Sequence, residues 1–172
     1  DTLRKAIELN PDHLSVYCLT LEYGTPMERY VSIGKLPEPD ADLAADMYLE
    51  AEKVLSNAGY VHYEISNWSK PGMQSKHNLR YWLNQDYIGV GPGAHSHMNK
   101  MRFFNIKSPR EYVNICSNIS STEPMLNMNL DQISLSSISF IGGFEYIDET
   151  TEISETLMLG LRLNEGVNKA AF

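Results

Sequence analysis

The sequence predicts an α/β fold, on three observations. LSVYCLTL (Leu14 to Leu21) is a nearly unbroken apolar run with β-branched and aromatic members. A run without alternation reads as a strand buried on both faces, as in a parallel sheet covered by helices. Asp40 to Ala58 carries an amphipathic helical pattern, and YVHYEI (Tyr60 to Ile65) follows it as a second short strand. Strands alternating with helices build a layered fold whose ligand loops lie at the strands' carboxyl ends.

Each element has its own local signal. Residues 2–9 read as the end of a helix, with Leu3, Ala6 and Ile7 on one face and Asn10-Pro11 closing it. Thr25-Pro26-Met27-Glu28 is a capping box with proline at the first helical position, opening a short helix that Gly34 closes. In the long helix Asp40 is the N-cap and Gly59 the C-terminal glycine, and Leu43, Met47, Ala51, Val54, Leu55 and Ala58 form the apolar stripe. The two strands, joined by these helices, are expected as parallel neighbours with the long helix across one sheet face.

The texture changes at Pro71-Gly72, which divides residues 1–71 from a smaller α+β region over 72–172. From Met73 to Asn105 the chain is irregular, aromatic and glycine-rich. Ser108-Pro109-Arg110-Glu111 is a second capping box, with Tyr112, Ile115, Cys116 and Ile119 as the inward stripe. ISLSSISFI (Ile133 to Ile141) is a strand candidate, with Gly142-Gly143 and Asp148-Glu149 read as flanking turns. A helix returns over Ile153 to Leu163, with Leu157, Gly160 and Leu161 inward.

Composition excludes several classes of function. The 172 residues are 42% hydrophobic and carry a net charge of −8, from 14 Lys and Arg against 22 Asp and Glu. Non-specific binding to nucleic acid or anionic lipid needs a basic face, so neither is expected. No apolar run reaches the length of a membrane span, and the first residues lack the basic-then-apolar order of a signal peptide. Two cysteines, Cys18 and Cys116, imply no disulfide scaffold, and a cytoplasmic setting is expected.

Three constellations could carry chemistry. GVGPGA (Gly89 to Ala94) lacks the G-x-G-x-x-G spacing and opens no amphipathic helix, so its glycines are read as serving a tight bend. His95 and His97, two apart, share one face of a strand and could begin a zinc site, with His77 or Glu64 as the remaining donors of a small metal hydrolase. Ser96 between them sits in no strand–nucleophile–helix elbow. His77-Asn78-Leu79-Arg80-Tyr81-Trp82 joins an imidazole to two flat aromatic rings, a pattern that could ligate iron and face a macrocycle. By composition alone such a histidine is more often packed in its loop.

Taken together, LSVYCLTLEYGTP, LPEPDADLAADMYLEAEKVLSNAGYVHYEISNWSKPG, KHNLRYWLNQDYIGVGPGAHS and ETLMLGLRLNEGV resemble one family in order. It is the oxygen-independent coproporphyrinogen III oxidase-like radical SAM family, and within it the HemW-type haem chaperone branch. The likeness covers about residues 1–112 and 155–172; residues 120–150 do not follow it. HNLRYW matches the branch's H-N-x-x-Y-W motif, associated there with haem binding. The resemblance implies haem as cofactor or cargo, His77 as its iron ligand, and Asn78, Tyr81 and Trp82 as further haem contacts.

The resemblance also implies what lies elsewhere in the parent protein. The family holds a 4Fe–4S cluster through C-x-x-x-C-x-x-C and binds S-adenosylmethionine in early barrel strands, which would precede Asp1. A winged-helix-like module would follow Phe172. The chain then corresponds to the last βα units of a partial (β/α) barrel plus the start of the C-terminal region, inactive in radical chemistry alone. Haem delivery to a recipient protein is the expected function, with oxidation of coproporphyrinogen III to protoporphyrinogen IX as the alternative. Surfaces normally covered by the rest of the parent are expected to favour self-association.

Overall fold

The computed structural model describes residues 1–118 and 138–168. Those residues form an α/β arrangement of six helices and two three-stranded sheets, divided into two compact units. The first unit is Asp1–Ser75 with Leu163–Glu165, and the second is Lys76–Arg162 with Gly166–Phe172.

In the first unit the local signals hold at the helices. α1 (Thr2–Glu8) precedes β1 (His13–Ser15). α2 (Pro26–Ser32) begins at Thr25, whose hydroxyl accepts the Glu28 amide, with Pro26 where no amide is needed. α3 (Ala41–Asn57) begins at Asp40, whose carboxylate accepts the Asp42 and Leu43 amides. Gly59 takes the left-handed conformation after its end, φ +84°. The buried line on α3 differs from the expected stripe. Leu43 and Met47 are exposed, at 57% and 64%, while Ala51 and Leu55 are buried and Tyr48 is half-buried. Tyr48 takes the inner position because its ring meets Trp68 and its hydroxyl donates to the Ile65 carbonyl.

The strands depart further from expectation. β2 (Val61–Glu64) turns into β3 (Asn67–Ser69), a strand the sequence did not announce. The sheet order is β1-β3-β2, both pairings antiparallel, with Leu14 and His62 opposite Trp68. β1 and β2 therefore run in the same sense, but they are not neighbours: β3 lies between them. Only the start of the apolar run is strand. Val16 still donates to the Ser66 carbonyl, and beyond it Tyr17 and Leu19 are exposed. The core is Leu55, Tyr60 and Trp68, with Ile7, Leu14, Val16 and Tyr48 against it. Tyr60 is buried with its hydroxyl donating to the Pro11 carbonyl, which satisfies its one polar atom.

The second unit holds α4 (Lys76–Trp82), β4 (His95–Met98), β5 (Met101–Asn105), α5 (Pro109–Asn118), β6 (Ile141–Tyr146) and α6 (Glu149–Gly160). The sheet is antiparallel in the order β4-β5-β6. Ser108 caps α5 by accepting the Glu111 amide. Gly142-Gly143 is not a turn but part of β6. The Phe104 ring lies over both glycines, and a Cβ on Gly143 would sit 2.8 Å from it. Residues 133–137 of the expected strand, and Ile119 of the expected α5 stripe, lie outside the described residues. α6 begins earlier than its pattern suggested, at Asp148, whose carboxylate accepts the Thr151 amide. Gly160 is buried against Val167 as expected of an inward position, but Leu157 and Leu161 are exposed.

Candidate functional site

HNLRYW forms most of α4, and the helix decides which of its side chains meet. Residues four apart stand one above the other on a helix, so His77 and Tyr81 share a face. Their rings meet edge-on, 4.8 Å between centroids, with the Tyr81 hydroxyl 2.9 Å from His77 Nε2. His77 itself is exposed and Asn78 is half-buried. Trp82, five positions on, turns away from His77. The Arg162 guanidinium lies over its ring at 4.4 Å, and its indole nitrogen is buried without a hydrogen-bond partner among the described residues. That cation–π contact fixes the helix's C-terminal turn and leaves the His77 end facing solvent.

Tyr81 also begins a chain of aromatic contacts. Its ring meets Tyr87 at 4.5 Å, and Tyr87 meets His97 at 6.2 Å. Backbone hydrogen bonds between Tyr87 and His97, 2.8 and 3.0 Å, hold those two residues opposite one another. Burial, aided by neighbouring Tyr81, pushes the Tyr87 hydroxyl above its ordinary value.

The glycine loop supports this pairing. Gly91 and Gly93 have φ +106° and +70°, and a Cβ on Gly89 would fall on the His95 carbonyl oxygen. Asn105, buried, donates to the Gly89 and Gly91 carbonyls, and Ser96 Oγ accepts the Gly89 amide. Ser96 is thus a buried brace for the bend.

His95 and His97 do lie on one strand, but His95 is exposed beside Phe104 while His97 is buried. Among the described residues no three His, Cys, Asp or Glu side chains are grouped to hold a metal ion. Glu64 is occupied by the Asn67 amide and the Ser66 backbone. The metal-hydrolase arrangement therefore does not form. The two cysteines, Cys18 and Cys116, fall in different units and number one fewer than a three-thiolate set, so this chain does not fit a radical-SAM 4Fe–4S cluster.

Sequence reading missed a second constellation, in the first unit. Glu52 accepts the Trp68 indole N–H at 3.0 Å and lies 3.0 Å from His62 Nδ1, while His62 Nε2 faces the Tyr48 hydroxyl and the Ile65 carbonyl. Glu52, Tyr48 and His62 sit on α3 and β2, and no spacing rule links them. A glutamate on the inner side of an amphipathic helix was the available signal.

No family model matches the sequence. The "Heme chaperone HemW" of Mycobacterium tuberculosis is 35% identical over 162 residues, covering 94% of this chain and 37% of that protein. The protein of the same name from Synechocystis is 36% identical over 169 residues, 98% of this chain and 37% of its own length. The solved coproporphyrinogen III oxidase (HemN) from Escherichia coli, described as a radical SAM enzyme, matches with a TM-score of 0.60 at 17% identity, over 95% of this chain and 36% of its own, a likeness of fold. The chain is a homologue, over nearly its whole length, of the proteins named "Heme chaperone HemW", and spans little more than a third of those relatives.

Proposed function

We propose that α4 carries the docking point for haem, with His77 as the iron ligand, in a protein that delivers haem to a recipient. The exposed His77 imidazole carries this reading. An imidazole nitrogen is a good donor to haem iron. A cargo that must be handed on suits a ligand at the surface rather than in a closed cavity, and His77 is exposed. Tyr81, on the same helix face, offers its ring beside the macrocycle and Asn78 a hydrogen-bonding amide. The Tyr81 hydroxyl occupies Nε2 before haem arrives. A neutral hydrogen bond contributes only about 1 kcal/mol net, so iron displaces it.

The first unit, on this reading, belongs to the closing portion of the parent's partial barrel, for which the fold likeness to HemN is the support. The cluster and S-adenosylmethionine belong to other parts of that parent, in a cytoplasmic setting. Among the described residues no helix is long and apolar enough to cross a membrane.

The test is a hemin titration of this chain above neutral pH, followed by the Soret band, comparing His77→Ala with His95→Ala. Loss of the shifted band in His77→Ala, with His95→Ala unchanged, is expected; the reverse pattern overturns the assignment. Tyr81→Phe should bind several-fold more tightly, because its hydroxyl no longer competes for Nε2.

A further inference from the structure

The second unit contains a cavity of about 290 Å³, at the small end of ligand-binding volumes. Tyr81 and Tyr87 supply aromatic walls, and Met158 and Leu159 of α6 supply apolar ones. Its most deeply buried polar side chain is His97. That residue is only 7% exposed, and its ring makes no hydrogen bond with any described residue. Its backbone is paired with Tyr87, so the imidazole is held in place. A bound molecule can supply the ring with a partner.

The charges lining the cavity choose the ligand class. Arg102 also lines it, but its guanidinium is ion-paired with two carboxylates, Glu155 at 2.6 Å and Glu145 at 2.7 Å. An anion entering the cavity meets Glu155 and a cation meets Arg102, and neither finds an uncommitted counter-charge. A neutral molecule meets two phenol rings, the Asn84 and Gln85 carboxamides, a thioether, a leucine and one imidazole, which can donate from one nitrogen and accept at the other.

We propose that this cavity is a binding site for a neutral, flat molecule of one or two rings that hydrogen-bonds to His97. It is separate from the iron ligand: two tyrosine rings stand between His97 and His77. Tyr81 belongs to both places, as a cavity wall and as the partner of His77 Nε2. An occupant that shifts Tyr81 therefore alters the hydrogen bond His77 makes.

Indole is a suitable probe, since its ring can lie against the phenols and the apolar side chains of α6 and its N–H can donate to His97. Titration of the chain labelled with 15N in histidine rings should move the His97 ring resonances saturably, with a smaller shift at His77. Benzoate, similar in size but charged, should bind at least about tenfold more weakly. Leu159→Trp fills the cavity and should abolish the shift, and His97→Phe should weaken indole binding by about tenfold or more, judged by ligand-observed NMR. Far-UV circular dichroism checks that each variant is folded, and either variant alone suffices. Absence of any His97 shift up to the solubility of indole overturns the proposal. So does equal binding by a folded Leu159→Trp or His97→Phe, or benzoate binding as tightly as indole.

Discussion

His62 lies flat on Trp68, with ring centroids 4.1 Å apart and planes within 6° of parallel. The two residues face each other across the β2–β3 pairing, and both direct a ring N–H or nitrogen at the Glu52 carboxylate. One carboxylate on α3 thus ties the helix to both β2 and β3.

Trp68 has no exposed surface and fills the centre of the first unit's core. Trp68→Ala should cost about 3–5 kcal/mol, the range for deleting a buried aromatic side chain. Glu52→Gln keeps an acceptor for the indole and should cost about 1 kcal/mol or less. Urea unfolding monitored by circular dichroism measures both, and equal costs would show that Trp68 is not the centre of the packing.

Gly143→Ala should destabilise the second unit by about 1–3 kcal/mol, because its Cβ would press into the Phe104 ring. Phe104→Leu in the same chain should recover part of that loss. A chain in which Gly143→Ala is neutral by itself would place Phe104 elsewhere.

Asp148 gives the pH prediction. Its hydrogen bonds from Thr151 hold the carboxyl below the ordinary aspartate value. A lowered folded-state pKa means a stabilising contribution present above the unfolded value and lost as pH falls through the folded one. The first turn of α6 should therefore lose hydrogen-exchange protection in the acid range, below the usual aspartate pKa. Asp148→Asn should remove that pH dependence while leaving the turn protected, since an asparagine side chain also caps. Unchanged acid sensitivity in Asp148→Asn would assign it to another group.

Anaerobic reconstitution of this chain with iron and sulfide should yield no stable 4Fe–4S absorption. The chain has two cysteines, and a site-differentiated cluster takes three thiolates. One cluster per chain after desalting would contradict this.

The helices were legible because their causes are local. Thr25, Asp40 and Ser108 each accept an amide two or three residues ahead, and that geometry is written in the spacing. The His77–Tyr81 pair was legible for the same reason once the segment was taken as helical. β3 was not, because Asn67-Trp68-Ser69 has no alternation to read; it is a strand because Trp68 is enclosed between Leu14 and His62. Gly142-Gly143 misled as a turn signal because the need for two glycines comes from Phe104, some 40 positions earlier. The cavity at His97 was hidden likewise, since Tyr81, His97 and Leu159 arrive from three separate elements.

The assignment of His77 as the iron ligand is tested most directly by pulsed EPR on the ferric haem complex of the chain labelled with 15N in histidine rings. Strong hyperfine coupling from one ring nitrogen is predicted, lost in His77→Ala and retained in His95→Ala and His97→Phe. Coupling that persists in His77→Ala, or that is absent from the unaltered chain, would contradict the account.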